Sequence, residues 1–189
     1  MKGISMTIDG KNVDVEEGKS LLDAARGAGI PVPSLCFDER LKPYGSCRMC
    51  MVEIEKKGRK RLVASCCYPA EAGLVVRTDT KEIMKIRRVL TELAMSITDV
   101  GPHKALAAEY RIKKTRFYRD AAHDPCTLCG RCVRYCAEVA GKNAICFMGR
   151  GVDRRVALVP GASEQCSLCR KCFDLCETGW IIKLVDQER

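Results

Sequence analysis

Cys126, Cys129, Cys132 and Cys136 follow one another as C-x2-C-x2-C-x3-C, and Cys166, Cys169, Cys172 and Cys176 repeat the spacing forty residues on. Thiolates are soft anionic ligands, and runs of this kind wrap cubane iron–sulfur clusters; two in tandem predict two [4Fe-4S] clusters. The fourth cysteine of each run is expected to serve the other cluster. The predicted sets are therefore crossed: Cys126, Cys129, Cys132 and Cys176 hold one cluster, and Cys166, Cys169, Cys172 and Cys136 hold the other. A different pattern stands nearer the N-terminus, where Cys36, Cys47 and Cys50 read C-x10-C-x2-C and Cys66 follows after a longer gap. It is neither the paired knuckles of a zinc ribbon nor the C-x4-C-x2-C of a plant-type ferredoxin. Cys67 and Cys146 complete the fourteen cysteines, and both are expected to be small buried residues.

Composition narrows the field. The chain has 189 residues, enough for one or two small domains and not for a large catalytic domain as well. Met1 to Gly10 has no apolar signal core, and no run approaches the ~20 apolar residues of a membrane span. A cytoplasmic location is expected, and there cysteine density favours metal or redox sites over disulfides. The formal charge of +9 suggests nucleic acid at first sight. Three oxidised clusters with four thiolates each would subtract about six charges, at about −2 apiece. Few aromatics interleave the basic residues, so no stacking surface for nucleic acid is expected.

The elements that must position these ligands can be read in outline. Residues 4 to 8 and 12 to 15 alternate around Asp9-Gly10, a hairpin signal. Ser20 opens a helix, Leu21 to Ala28, with Asp23 three residues on as its capping partner. Gly29, Pro31 and Pro33 end it. Met51 to Glu55 and Leu62 to Ala64 read as strands around a basic turn, Lys56 to Arg61, and Leu74 to Arg77 as another strand. Thr80 to Ser96 has helical periodicity, with Ile83, Ile86, Leu90 and Leu93 on one stripe. Gly101-Pro102 breaks the pattern, and His103 to Tyr118 reads as a second, basic helix. The predicted organisation is α+β. Residues 1–80 form a β-grasp ferredoxin-like domain, 81–120 a helical connector, and 121–189 a two-cluster ferredoxin-like domain.

The N-terminal cysteines carry a resemblance in their surroundings: Pro33-Ser34-Leu35-Cys36, Gly45-Ser46-Cys47-Arg48-Met49-Cys50-Met51-Val52-Glu53, and Ala64-Ser65-Cys66 with Pro69 three positions on. These resemble the [2Fe-2S] domain that opens the large iron–sulfur subunit of respiratory complex I and its relatives in NAD-linked hydrogenases and formate dehydrogenases. The resemblance implies one [2Fe-2S] cluster on Cys36, Cys47, Cys50 and Cys66, with Cys67 as the substitute for Cys66. In that family the connector often carries another cluster on one histidine and three cysteines. Here no cysteine lies between Cys67 and Cys126, so His103 is expected to be a surface or helix-start residue. Asp124 to Arg134 with Glu138, and Arg150-Gly151, are similar to the family's C-terminal segment. Ala137 and Glu177 stand where bacterial ferredoxins usually have proline.

No dinucleotide fingerprint is present, since Gly27-x-Gly29 lacks the third glycine and the strand. The chain is expected to do no substrate chemistry alone and to relay single electrons. What the resemblance implies is a subunit between a flavin/NAD(P)-binding subunit and a catalytic subunit such as a formate dehydrogenase or hydrogenase. A freely diffusing polyferredoxin is the alternative, and a zinc-stabilised binding module a third reading. Arg48, Arg131, Arg134, Arg170 and Lys171 lie in or beside the ligand loops as tuning or docking candidates.

Overall fold

The computed structural model describes residues 3–118 and 124–187. Residues 119–123, where the basic connector is expected to end and the C-terminal domain to begin, lie outside the described residues. The chain divides into two compact units, Met1–Phe37 with Pro43–Leu90, and Asp38–Lys42 with Thr91–Arg189.

The first unit is a five-stranded mixed sheet carrying one helix. Strands β1 (Gly3–Ile8), β2 (Lys11–Glu16), β3 (Met51–Lys56), β4 (Arg59–Ala64) and β5 (Val75–Arg77) lie in the order β2-β1-β5-β3-β4. The β1–β5 pair is parallel and the others are antiparallel. Asp9 and Gly10 both take positive φ, as a tight two-residue hairpin turn requires. Asp9 then reaches across to β5, accepting bonds from the Thr78 backbone N–H at 2.8 Å and its hydroxyl at 2.6 Å. Lys57-Gly58 makes a second such turn. The basic stretch expected as a long turn is therefore mostly ladder, with Lys56 paired to Arg59 and Ile54 to Arg61. Its charged side chains stay exposed on an edge strand, where they discourage further strand pairing.

Helix α1 (Leu21–Gly27) starts at a complete capping box: Ser20 accepts from the Asp23 N–H, and the Asp23 carboxylate accepts from the Ser20 N–H. It buries Leu21, Leu22, Ala24 and Ala25 in one core with Met6, Ile8, Val52, Ile54 and Val76 of the sheet. The alternation along β1 and β3 supplies these inward residues.

Helix α2 (Lys81–Met95) contains the division between the units. Its buried positions are Ile83, Arg87 and Thr91, whereas Leu93 of the expected stripe is exposed. Helix α3 (Pro102–Glu109) is half the length expected, with proline in its first turn and Arg111 in a left-handed conformation just beyond its end. Gly101-Pro102 thus starts a helix as well as ending the preceding pattern.

The second unit continues with α4 (Arg131–Glu138), an antiparallel hairpin of β6 (Ile145–Met148) and β7 (Arg155–Leu158), α5 (Ser163–Cys169) and α6 (Trp180–Gln187). Its core joins Ile145, Val156, Leu158, Ile181 and Val185 to cysteines of both runs. Residues 38–42 belong to this unit. The Lys42 N–H donates to Glu138 at 3.0 Å, Arg134 donates to the Lys42 carbonyl, and the Arg40 guanidinium lies 5.2 Å from the Tyr135 ring centre.

Leu22 is fully buried. Leu22→Ala is expected to cost about 2–5 kcal/mol, and Ser20→Ala about 1 kcal/mol. Urea denaturation of the full chain, followed on the first unit's transition, checks both.

Candidate metal centres

In the first unit the cysteines come together as two neighbouring pairs. Cys50 and Cys66 approach to 3.3 Å between sulfurs, and the Cys47 backbone N–H donates to the Cys36 sulfur at 3.4 Å. Leu35 N–H donates to the Cys47 sulfur at 3.4 Å. Cys36, Cys50 and Cys66 are buried and Cys47 is half-buried. Cys67 is exposed rather than buried, although its sulfur lies 3.6 Å from that of Cys66. The hydrogen bond from Cys66, the largest influence, lowers the Cys50 thiol to about 6, against the opposing effect of burial. The same bond holds the Cys66 thiol far above its ordinary range.

The backbone around Cys50 is fixed by an unusual concentration of donors. The Cys50 carbonyl accepts from the Ser65 N–H at 3.0 Å and the Ser65 hydroxyl at 2.8 Å. The carbonyls on either side, of Met49 and Met51, accept from Arg87 at 3.0 and 2.9 Å. Three consecutive carbonyls are thereby satisfied in the interior, where an unpaired one is costly. The segment carrying Cys66 is tied in turn to α1, because Leu22 N–H donates to the Ser65 carbonyl at 3.1 Å and Leu21 N–H to the Tyr68 carbonyl at 2.9 Å. Gly45 has no substitute here: its φ is +66°, and a Cβ would stand 2.8 Å from the Cys67 sulfur.

In the second unit two cavities are lined by cysteines. One, with about 430 Å³ of space when the open solvent at its mouth is included, is bordered by Cys126, Cys129, Cys132 and Cys176. The other, with about 330 Å³ on the same measure, is bordered by Cys136, Cys166, Cys169 and Cys172. The last cysteine of each run thus stands with the first three of the other. Left-handed residues follow the second cysteine of each run, Gly130 and Arg170, and turn the chain between ligands. Backbone N–H groups face the two exchanged sulfurs, from Ala144 to Cys136 at 3.2 Å and from Ile181 to Cys176 at 3.5 Å. Burial raises the Cys126 thiol to about 11 and the Cys172 thiol to about 12, and it also raises Cys132 and Cys166. Such thiols ionise when a cation joins them. Among the described residues no three Cys, His, Asp or Glu side chains close on one point as a single metal ion requires.

Of the basic residues singled out by sequence, Arg48, Arg170 and Lys171 are exposed and Arg134 pairs with Glu138 at 3.3 Å. Arg131 alone is buried; it bonds the Cys129 sulfur and pairs with Glu177 at 2.6 Å. Glu177, the residue in place of the usual proline, is therefore the counter-charge of a buried arginine. His103 occupies the helix start, as expected, but it is buried and borders the larger cavity. Burial pushes its imidazole below the ordinary histidine value. The burial of His103 and the role of Arg87 differ from the sequence expectation; the helical spacing of Arg87 from Ile83 is the signal in the sequence for the latter. Cys146 is half-buried in β6 and borders neither cavity. The four-thiol sets, their N–H donors and the buried arginine fit iron–sulfur groups.

Residues 1–81 match the family of 2Fe-2S iron-sulfur cluster binding domains. The chain is 31% identical to the mitochondrial NADH-ubiquinone oxidoreductase 78 kDa subunit of Neurospora crassa, over 93% of this chain and 27% of that protein. It is 32% identical to NADPH-Fe(3+) oxidoreductase subunit alpha of Geobacter sulfurreducens (strain DL-1 / KN400), over 95% of this chain and 24% of that protein. The chain therefore spans about a quarter of the length of these curated relatives. Among solved structures, the NAD+-reducing [NiFe]-hydrogenase in the H2-reduced state aligns with a TM-score of 0.73 at 29% identity, covering 84% of this chain and 76% of that chain. Among the described residues no helix is long and apolar enough to cross a membrane.

Arg87→Met leaves the Met49 and Met51 carbonyls without these donors and is expected to cost about 2–4 kcal/mol. Arg87→Lys, which keeps the charge but loses the two-pronged geometry, is expected to recover less than half. Denaturation of the full chain measures the first effect, and loss of iron from the N-terminal site follows it.

Proposed function

We propose that this chain, which resembles the iron–sulfur subunits of NADH- and NADPH-linked oxidoreductases, relays single electrons between a flavin/NAD(P)-binding subunit and a catalytic subunit in a cytoplasmic complex. The catalytic partner is of the formate dehydrogenase, hydrogenase or similar reductase class. The observation that supports this reading is the pair of cavities in the second unit, each bordered by three cysteines of one run and one of the other. When bound, one [2Fe-2S] and two [4Fe-4S] clusters accept and release one electron at a time. Cys36, Cys47, Cys50 and Cys66 hold the first. Cys126, Cys129, Cys132 and Cys176 hold the second, and Cys136, Cys166, Cys169 and Cys172 the third. The protein's part is to exclude water, offer N–H groups to sulfur and fix the spacing of the ligands. The resemblance to the hydrogenase subunit over most of both chains supports the subunit role, and the basic surface residues suit docking to an acidic partner.

Anaerobic reconstitution is expected to give about ten irons per chain, two for the N-terminal group and four for each of the others. A value near six removes one cubane and overturns the three-cluster reading. Cys136→Ser is expected to damage the cluster held mainly by Cys166, Cys169 and Cys172; damage confined to the cluster of its own run overturns the crossed assignment. Anaerobic affinity purification from the native cell is expected to bring down a flavin-binding and a catalytic subunit in stoichiometric amounts. Recovery of the chain alone, brown and monomeric, favours the polyferredoxin instead.

A further inference from the structure

The wall of the larger cavity carries two buried nitrogen groups without partners. His103 is 2% exposed, and neither of its ring nitrogens makes a hydrogen bond. The Val100 carbonyl approaches the ring outside hydrogen-bonding geometry. Arg131 is 8% exposed; one arm meets Glu177 at 2.6 Å, and its buried Nε has no acceptor. Both side chains border the same cavity as Cys126, Cys129, Cys132 and Cys176.

A buried donor without an acceptor costs about 1–3 kcal/mol. Two of them on one wall are unfavourable unless the cavity's occupant accepts from them. Whatever its protonation state, an imidazole has at least one N–H, and the arginine Nε always carries one. The sulfur atoms of an iron–sulfur cluster are anionic acceptors, so the occupant that the thiols select is also the one these donors need. Among the described residues the smaller cavity has no equivalent pair. Its basic neighbours Lys142, Arg170 and Lys171 are all exposed, where water competes for their donors and screens their charge.

On the reading that both cavities hold cubanes, we propose that His103 and Arg131 are hydrogen-bond donors to the sulfur of the cluster held by Cys126, Cys129, Cys132 and Cys176, and that they make it the higher-potential member of the pair. Donation to sulfur disperses negative charge and favours the reduced form, which carries one more electron. The first cubane is then where an electron entering the unit comes to rest, and the second is the more strongly reducing site. His103 acts here without being an iron ligand.

The test is a redox titration of the full, cluster-loaded chain, purified anaerobically and followed by EPR, with the first cubane's signal identified as the one that Cys176→Ser abolishes. His103→Leu is expected to lower the midpoint of that signal and leave the other cubane in place. His103→Gln, which keeps an N–H donor, is expected to recover part of the shift. Arg131→Met is expected to shift the same signal in the same direction, and it carries the test if the histidine variant fails to fold. Unchanged midpoints in His103→Leu and Arg131→Met overturn the proposal, as do equal shifts in both cubanes, which a general loosening of the unit would produce. Absence of any cubane signal from the unsubstituted chain overturns the cluster reading beneath it, and is distinguishable from a loaded protein with unmoved potentials.

Discussion

A thiol that is to hold iron must be shielded from water, yet it binds as an anion, and these two demands oppose each other. In the second unit the opposition is plain in the direction of the shifts: burial holds Cys126, Cys132, Cys166 and Cys172 toward the neutral form. The hydrophobic core there is partly made of the cysteines themselves, with Cys132, Cys136, Cys166 and Cys172 packed among Ile145, Leu158 and Ile181. On the proposed assignment, core and ligand set are the same residues, so occupancy by a cation and the integrity of the packing are one free energy. The exchange of Cys136 and Cys176 between the two cavities extends this coupling to the whole unit. Neither run of cysteines completes a set of four without the other.

The first unit meets the same demands differently. Cys36 and Cys47 lie in a long loop, while Cys50 and Cys66 stand beside the ends of β3 and β4 and join the apolar core of the sheet. Order comes from backbone hydrogen bonds supplied by distant residues, Ser65 to Cys50 and Arg87 to the carbonyls on either side. The five-stranded sheet provides the frame. Strand β3 begins directly after Cys50 and β4 ends two residues before Cys66, so the register of that hairpin, Met51 against Ala64, sets where the two cysteines meet. A shift of one residue in that pairing would turn each strand's side chains to the opposite face and part them.

The local signals in the sequence survive in the structure because they depend on nearest neighbours. Asp9-Gly10 dictates a turn by backbone conformation alone, and Ser20 with Asp23 caps a helix from three residues away. Spacing between cysteines is legible for the same reason. What escaped depends on residues far apart. An apolar stripe on α2 pointed to Leu90 and Leu93, but the line that is buried runs through Ile83, Arg87 and Thr91, because Arg87 has carbonyls to satisfy 36 and 38 residues away. The basic run before Leu62 looked like a turn because charge is usually solvated; an edge strand solvates its side chains equally well while its backbone stays in the ladder. Glu177 looked like a missing proline, and only its partner Arg131 explains it.

Among the described residues two arginines are buried, and they face different groups. A guanidinium has five N–H donors in a fixed plane, and burying one without acceptors is expensive. Arg87 directs donors at two backbone carbonyls, so its charge is spent on holding a loop. Arg131 gives one arm to a carboxylate and another to a cysteine sulfur, and it keeps a buried Nε at the edge of a cavity lined by four thiols. Glu177 balances its charge without consuming all of its donors. A cation balanced in this way is tolerated in the interior, and on the proposal that the cavity holds an anionic cluster it still has a hydrogen bond to give. An exposed arginine such as Arg170, beside the other cavity, sits in water and has less to offer a buried sulfur. The difference between the two cavities therefore lies less in their thiols, which match one for one, than in what the chain buries beside them.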